Sequence, residues 1–392
     1  MRAALVVQRY GVEVNGGAEA LARRVGELIA REVELTVLTT CAFDYLTWRD
    51  RYASGETQVN GVRVLRFPVP KPRDLRAFDK LSARAYGSPD DVELGRRWVR
   101  SQGPHSPELL GHLEAEGAGY DAVAFVTYLY ATTVEGLPLV SDRALLLPAM
   151  HDEPPLALRL FDEVFAAPRL LLFSTPEELE LARRRFGVED RRARIVGAGV
   201  DEHTDADGAR FRAEYGVTRR YAVCAGRLDG SKGVSELVSH HAAYRLVHAD
   251  GLDLVLLGDG PLQLPDEPWL HRLGFVPEEA KHDALAGADV VVCPSPYESL
   301  SLVQIEAWTH GRPTLANAAS PVLVGQSRRS GGGLWYGSAA EYAVMLARLA
   351  GSPGLAAAIG SQGRRHAHES FSWDRVRDAW LEALGEVAGA RR

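Results

Sequence analysis

Two acids, Glu298 and Glu306, stand eight positions apart in the stretch Pro294-Ser-Pro-Tyr-Glu298-Ser-Leu-Ser-Leu-Val-Gln-Ile-Glu306-Ala-Trp-Thr-His-Gly311. Upstream, Ala288-Asp-Val-Val-Val-Cys293 is valine-rich and reads as a short buried strand. Downstream, residues 301–310 place Leu302, Ile305 and Trp308 at helical spacing. Glu298 therefore falls at the mouth of a strand–loop–helix unit, with Glu306 about two turns along the helix. At about 1.5 Å per residue the interval spans roughly 12 Å. That is the reach from the sugar to the ribose of a nucleotide sugar, and a helix N-terminus between the two suits a diphosphate.

A second chemically pointed loop is Cys224-Ala-Gly226-Arg227-Leu-Asp-Gly230-Ser-Lys232-Gly233. Its glycines let the chain turn tightly after a strand, and Arg227 and Lys232 project from it. Two cations at the carboxyl end of a strand, opening a helix, suit a diphosphate; a flexible loop with two solvated cations is the plain alternative. Only four of the 45 basic residues are lysine (Lys71, Lys80, Lys232, Lys281), which favours a specific need for the compact ammonium where it persists. The spacing is not that of a Walker loop. Gly258-Asp-Gly-Pro261 and Leu273-Gly274-Phe275-Val276 each follow a strand-like run. The second of these presents backbone groups to a base edge, or both are plain turns.

In the first half, Val14-Asn15-Gly16-Gly17-Ala18-Glu19 joins a strand to an amphipathic helix and frees two backbone N–H groups for an anion. It lacks the third glycine of a dinucleotide fingerprint. Pro148-Ala-Met-His151-Asp-Glu-Pro-Pro155 sets His151 at a strand's carboxyl end, where the ring is either structural or catalytic. Asp205-Ala-Asp207 has the D-x-D form of metal-dependent sugar transferases, but it follows no strand and reads as solvated linker. Residues 63–100 hold ten basic and five acidic side chains, a solvated face or a contact for an anionic acceptor or lipid headgroups.

The elements that must position these groups alternate as in a parallel α/β protein. Strands are expected at 3–7, 34–39, 62–67, 122–125, 144–147 and 170–173, with a helix at 18–31 and a capping box at Thr175-Pro-Glu-Glu178. The polar stretch 200–208 reads as a hinge. Strands at 221–225, 252–257 and 290–293 follow, with helices at 234–246, 277–286, 338–349, 355–368 and 373–387. The 392-residue length and 46% hydrophobic content support two doubly wound α/β domains, read as facing each other across a cleft. Net charge of -7 and pI near 6.0 argue against a nucleic-acid partner. Cys41, Cys224 and Cys293 are widely spaced in apolar context and are expected as reduced, buried thiols. With no signal-like leader and no apolar run near the ~20 residues of a membrane span, a cytoplasmic location is expected.

Taken in order, Asn15-Gly16-Gly17-Ala18-Glu19, His151, Gly226-Arg227-Leu…Lys232-Gly233, Gly258-Asp-Gly-Pro261 and Glu298-x7-Glu306-Ala307-x3-Gly311-x-Pro313 resemble the retaining glycosyltransferases of family GT4, which have the GT-B fold. The resemblance implies a Rossmann-like acceptor-binding domain at 1–200, a Rossmann-like nucleotide-sugar domain at 201–370, and a C-terminal helix at 371–392 crossing back to the first. Arg227 and Lys232 would hold the donor diphosphate, and Glu306 the ribose hydroxyls. Glu298 with Ser299, Leu300 and Ser301 would hold the sugar, and Gly16 and Gly17 would lie by the phosphates and acceptor. Gly274 and Phe275 complete the donor-binding set. His151 resembles the family histidine beside the transferred sugar, so the catalytic set is His151, Glu298, Arg227 and Lys232. The implied activity is metal-independent, cofactor-free transfer from a UDP- or GDP-linked sugar to a hydroxyl of a glycan, a lipid-linked acceptor or a small natural product. The family often has glycines after the first glutamate; Ser299 and Ser301 stand there instead, which leaves the sugar open. Alternatives are a nucleotide-sugar 2-epimerase and a non-catalytic nucleotide-sugar binding protein.

Overall fold

The computed structural model describes residues 1–14 and 16–390; Asn15 of the glycine loop lies outside them. The chain divides into two compact units, Met1–Ala198 with Asp374–Arg392, and Gly199–Trp373. The first break falls two residues before the boundary read from the sequence.

In the first unit, β1 (Arg2–Val6), β2 (Glu34–Thr40), β3 (Gly55–Val59), β4 (Val62–Phe67), β5 (Ala122–Val126), β6 (Ala144–Leu147), β7 (Leu170–Phe173) and β8 (Ala193–Ile195) form one sheet in the order β3-β4-β2-β1-β5-β6-β7-β8. The order reverses between β1 and β5, so loops at the carboxyl ends of the central strands open at a switch point. The edge strand β3 pairs antiparallel with β4 and was not expected. Its sequence, Gly-Glu-Thr-Gln-Val, is mostly exposed and carries no apolar run to signal it. One face of the sheet, with Val6, Phe125, Leu146 and Phe173, packs against Trp98, Tyr128, Phe161 and Phe165. The helix Trp373–Gly389 buries Val376, Trp380, Leu384 and Val387, and its Glu386 meets Arg194 of the first unit at 2.8 Å.

In the second unit, β9 (Tyr221–Ala225), β10 (Asp253–Leu257), β11 (Leu270–Arg272), β12 (Val290–Cys293), β13 (Thr314–Asn317) and β14 (Gly333–Tyr336) run parallel in the order β11-β10-β9-β12-β13-β14. Period-2 alternation sends Ala222, Leu254, Leu256, Val290 and Val292 into one core, and Tyr221, Val223, Val255, Leu257 and Val291 into another. Both faces are covered, which is why these strands are apolar throughout. β13 and β14 were not expected, being four residues long with Thr, Asn and Gly among them. The stretch 200–208, read as a hinge, leads straight into an unanticipated helix, Gly208–Tyr215, whose N-cap is Asp207. Asp207 of the D-x-D sequence is thus a capping residue whose N–H also donates to Asp283 at 2.7 Å. It is not free linker.

The capping box at Thr175 forms, with the Glu178 carboxylate accepting from the Thr175 backbone N–H. The Thr175 hydroxyl accepts from Glu178 N at 3.2 Å. The Glu178 side chain is fully buried and accepts from Met150 N at 2.8 Å and Ser174 N at 2.7 Å, clamping the loop before His151. Burial raises its carboxyl to about 8, against the pull of those backbone donors. A carboxyl with a folded pKa above its unfolded value of about 4.3 contributes stability at low pH that is lost as pH rises through the folded value. The expected result is a denaturation midpoint that falls between about pH 5 and 8 in the native chain and stays flatter in Glu178→Gln; parallel pH profiles would remove Glu178 as the cause.

Candidate functional site

The helix Glu278–Gly287 carries the chain from one side of β9 to β12 on the other. The topological switch point of the second sheet therefore lies between β9 and β12, where open α/β sheets hold ligands. Lys232 follows β9 and Glu298 follows β12, and Lys232 Nζ donates to Glu298 Oε1 at 2.7 Å. The loops after β9 and β12 thus meet through opposite charges.

Backbone packing sets this meeting. A Cβ on Gly258 would stand 2.0 Å from Gly226 O, one on Gly260 2.0 Å from Leu228 O, and one on Gly233 2.3 Å from Pro294 O. Main-chain hydrogen bonds stitch the same loops: Gly226 N to Leu257 O at 2.9 Å, Leu228 N to Asp259 O at 2.9 Å, and Gly258 N to Gly274 O at 2.7 Å. Gly274 is thereby fixed beside the Gly258 turn, while the Phe275 ring is exposed. Asp229 caps the short turn Gly230–Lys232 by accepting from Lys232 N at 3.1 Å, and it meets the exposed Arg227 guanidinium at 3.4 Å.

Glu306 lies on the helix Leu302–Thr309 and pairs with a residue the sequence reading did not assign, Lys281 of the helix Glu278–Gly287. Lys281 Nζ donates to Glu306 Oε1 at 2.9 Å and to Glu278 Oε1 at 2.5 Å. Burial opposes the ammonium, but Glu306 and Glu278 outweigh it and hold Lys281 above its ordinary value. Among the described residues Glu306 Oε2 is buried and has no hydrogen-bond partner. A buried carboxylate oxygen left without a donor carries a desolvation cost that a ligand hydroxyl would relieve. The scarcity of lysine was the one signal that could have pointed to Lys281.

The helix starts at Leu302, with Ser301 as N-cap. Residues 298–301 are not helical, so the helical rise of about 12 Å does not describe the whole Glu298–Glu306 interval. Ser301 has φ +69°, the left-handed region that glycine adopts freely. Serine therefore keeps here the backbone conformation expected of the family glycine. Leu300 is buried and its carbonyl accepts from Gln326 Nε2; Ser299 is half-buried.

In the first unit, Gly16 is the N-cap of the helix Gly17–Ile29, and no side chain caps it. Its φ of +153° and the Glu19 carboxylate, 2.3 Å from where a Cβ would sit, both exclude a side chain. Glu19 already supplies negative charge to this helix start, and the buried Arg9 neutralises it at 2.6 Å. Around Gly17 a Cβ would meet nothing within 4 Å. His151 is half-buried after β6, with Nδ1 3.4 Å from Glu153, which also accepts from Tyr128 at 3.1 Å. Of the ten cations in 63–100, Arg66 lies over Tyr52, Arg73 over Trp48 and Phe78, and Arg63, Arg96 and Arg100 pair with carboxylates. The other five, Lys71, Arg76, Lys80, Arg84 and Arg97, are also exposed.

The Lys281–Glu306 pair makes a direct prediction. Lys281→Met strands the Glu306 charge and should cost about 2 kcal/mol of unfolding free energy. The double variant Lys281→Met with Glu306→Leu should recover most of that loss. Additive losses in the denaturation cycle would show the pair to be uncoupled.

Known proteins resemble this chain in sequence and in fold. Residues 219–350 match the family model for glycosyl transferases group 1. A D-inositol 3-phosphate glycosyltransferase of Rhodococcus jostii is 31% identical over 256 residues, 59% of this chain and 56% of that protein. The match thus spans little more than half of that relative's length. An MMP alpha-(1->4)-mannosyltransferase of Mycolicibacterium hassiacum is 28% identical over 347 residues, 83% of this chain and 77% of that protein. The solved sucrose-phosphate synthase of Thermosynechococcus elongatus superposes with a TM-score of 0.72 at 18% identity, covering 99% of each chain. Residues 219–350 form a glycosyl transferases group 1 domain, GT4-like in sequence, and the chain has the GT-B fold.

Proposed function

We propose that this chain is a retaining glycosyltransferase that moves a hexosyl group from a UDP- or GDP-linked sugar to an acceptor hydroxyl, without a metal. The observation that carries the reading is the state of Glu306. One oxygen is held by Lys281 at 2.9 Å and the other is buried with no partner among the described residues, on a helix starting just after the Lys232–Glu298 pair. A vicinal ribose diol is the ligand group that such an oxygen accepts from. Lys232 has three N–H donors, so it can keep Glu298 and still donate to a phosphate oxygen. Arg227 and Lys232 then supply the positive charge that stabilises a departing diphosphate.

In the reaction, the bond from sugar C1 to the diphosphate oxygen breaks, and the acceptor oxygen bonds to C1 on the same face. The acceptor's proton passes to the departing phosphate oxygen. Glu298, with Ser299, Leu300 and Ser301, holds the sugar hydroxyls. His151, Gly16 and Gly17 belong to the first unit, and their roles beside the sugar and acceptor rest on the family resemblance. The name of the Rhodococcus relative favours a hydroxyl of a phosphorylated polyol such as an inositol phosphate as acceptor. Among the described residues no single helix is long and apolar enough to cross a membrane, and the exposed cations Lys71, Arg76, Lys80, Arg84 and Arg97 suit an anionic acceptor or lipid surface.

Calorimetry with a panel of nucleoside diphosphates and their sugars tests the division of labour. Glu306→Ala should weaken nucleoside diphosphate binding about 10- to 100-fold. Glu298→Ala should spare it and abolish the extra affinity contributed by the sugar. Equal losses in both would sink the assignment. Product made with acceptor present should keep the donor's anomeric configuration, and chelator should not abolish the reaction. A trapped covalent glycosyl-enzyme, or a sugar isomer formed without acceptor, would overturn the mechanism.

A further inference from the structure

Behind the Lys281–Glu306 pair lies a group of side chains that the transfer reaction does not use. Glu278 and His282 stand one turn apart on the helix Glu278–Gly287, with His282 Nε2 3.2 Å from Glu278 Oε1. The His203 ring, from the loop before the helix Gly208–Tyr215, stacks on His282 at 3.6 Å. One nitrogen of each ring and one Glu278 oxygen lie within 4.8 Å of one another. They line a pocket of about 190 Å³, with Asp205, Asp283, Glu279 and Arg210 around it.

We propose that His203, Glu278 and His282 form a zinc site that controls donor affinity from outside the reaction centre. Two imidazoles and one carboxylate, with a fourth position open to water, are the donor set that Zn²⁺ takes, whereas Mg²⁺ and Ca²⁺ prefer oxygen alone. Zinc–nitrogen bonds of about 2.0–2.1 Å require the ligand atoms to draw closer than they now stand. His282 and Glu278 are fixed on one helix, so the movement falls to His203, which tilts out of its stack on a surface loop. An outer partner for the buried ligand is already in place: His282 Nδ1 lies 2.9 Å from His310 Nε2. With zinc on Nε2, the one proton of His282 sits on Nδ1 and is donated to His310, the usual way a metal-bound imidazole is oriented.

The site reaches the donor through one lysine. Glu278 Oε1 is held by Lys281, whose other partner is Glu306. Zinc draws Glu278 away and leaves the whole Lys281 charge on Glu306. The free Glu306 oxygen then presents less negative charge to a ribose hydroxyl, and donor binding weakens. This last link rests on the proposed function; the metal site does not.

The test uses the full chain stripped of metal and titrated with zinc chloride alone. The expected result is saturable binding of one ion per chain, with no response to magnesium. His203→Ala should abolish it, and His310→Ala should weaken it about 10- to 100-fold. His203 lies on the surface loop, so His203→Ala should keep the native circular dichroism and its zinc-free UDP affinity. Absence of saturable zinc binding, or equal binding by His203→Ala, overturns the site. Zinc should lower the wild type's UDP affinity about fivefold or more and leave that of His203→Ala unchanged. Zinc binding with no change in UDP affinity overturns the link to the donor; failure of every nucleoside diphosphate to bind, with or without zinc, overturns the donor reading instead.

Discussion

The charged groups of the second unit stand where they do because its loops approach one another more closely than side chains permit. The turn at Gly258 and Gly260 lies directly on the Gly226 and Leu228 carbonyls, and Gly233 lies on Pro294. Each contact joins loops that follow different strands of the sheet. The loop after β9 is therefore pinned to the loops after β10 and β12, and Lys232 is delivered to Glu298 by main chain rather than by side-chain adjustment. Preorganisation of this kind spares a site the cost of assembling its charges when ligand arrives.

The two units use their buried ion pairs differently, and the choice of cation shows it. Arg9 spends its planar fork inside the protein, with Nε and Nη2 on Glu19 at 3.0 and 2.6 Å and Nη1 on Phe43 O at 2.8 Å. That is a lock on the start of the first helix. Lys232 and Lys281 instead place a compact ammonium with rotatable donors against a carboxylate, and such a group can hold its partner and still turn toward a ligand. Glu306 keeps one oxygen uncommitted in the same spirit.

Much of this was legible in the sequence. All nine expected strand runs matched to within a residue because buried parallel strands are continuous apolar stretches bounded by turn residues. The placing of Lys232 and Glu298 at strand carboxyl ends was legible, but their direct contact was not. What escaped had a physical reason in each case. β3 is a polar edge, and β13 carries buried Thr314 and Asn317 that no hydropathy pattern marks. The helix Gly208–Tyr215 hid behind acidic residues that serve as its cap. Lys281 and the Glu178 clamp depend on contacts between elements 25 and 28 residues apart, and no local spacing encodes those.

The shortage of lysine has a practical side. The second unit contains two ammonium groups, on Lys232 and Lys281, amid a surface whose other permanent cations are guanidinium. Each of the two touches one of the glutamates at the candidate site. Acylating or methylating reagents that ignore arginine would therefore act on that unit almost as directed probes. On this chain, ordinary amine labelling comes close to affinity chemistry without an affinity ligand.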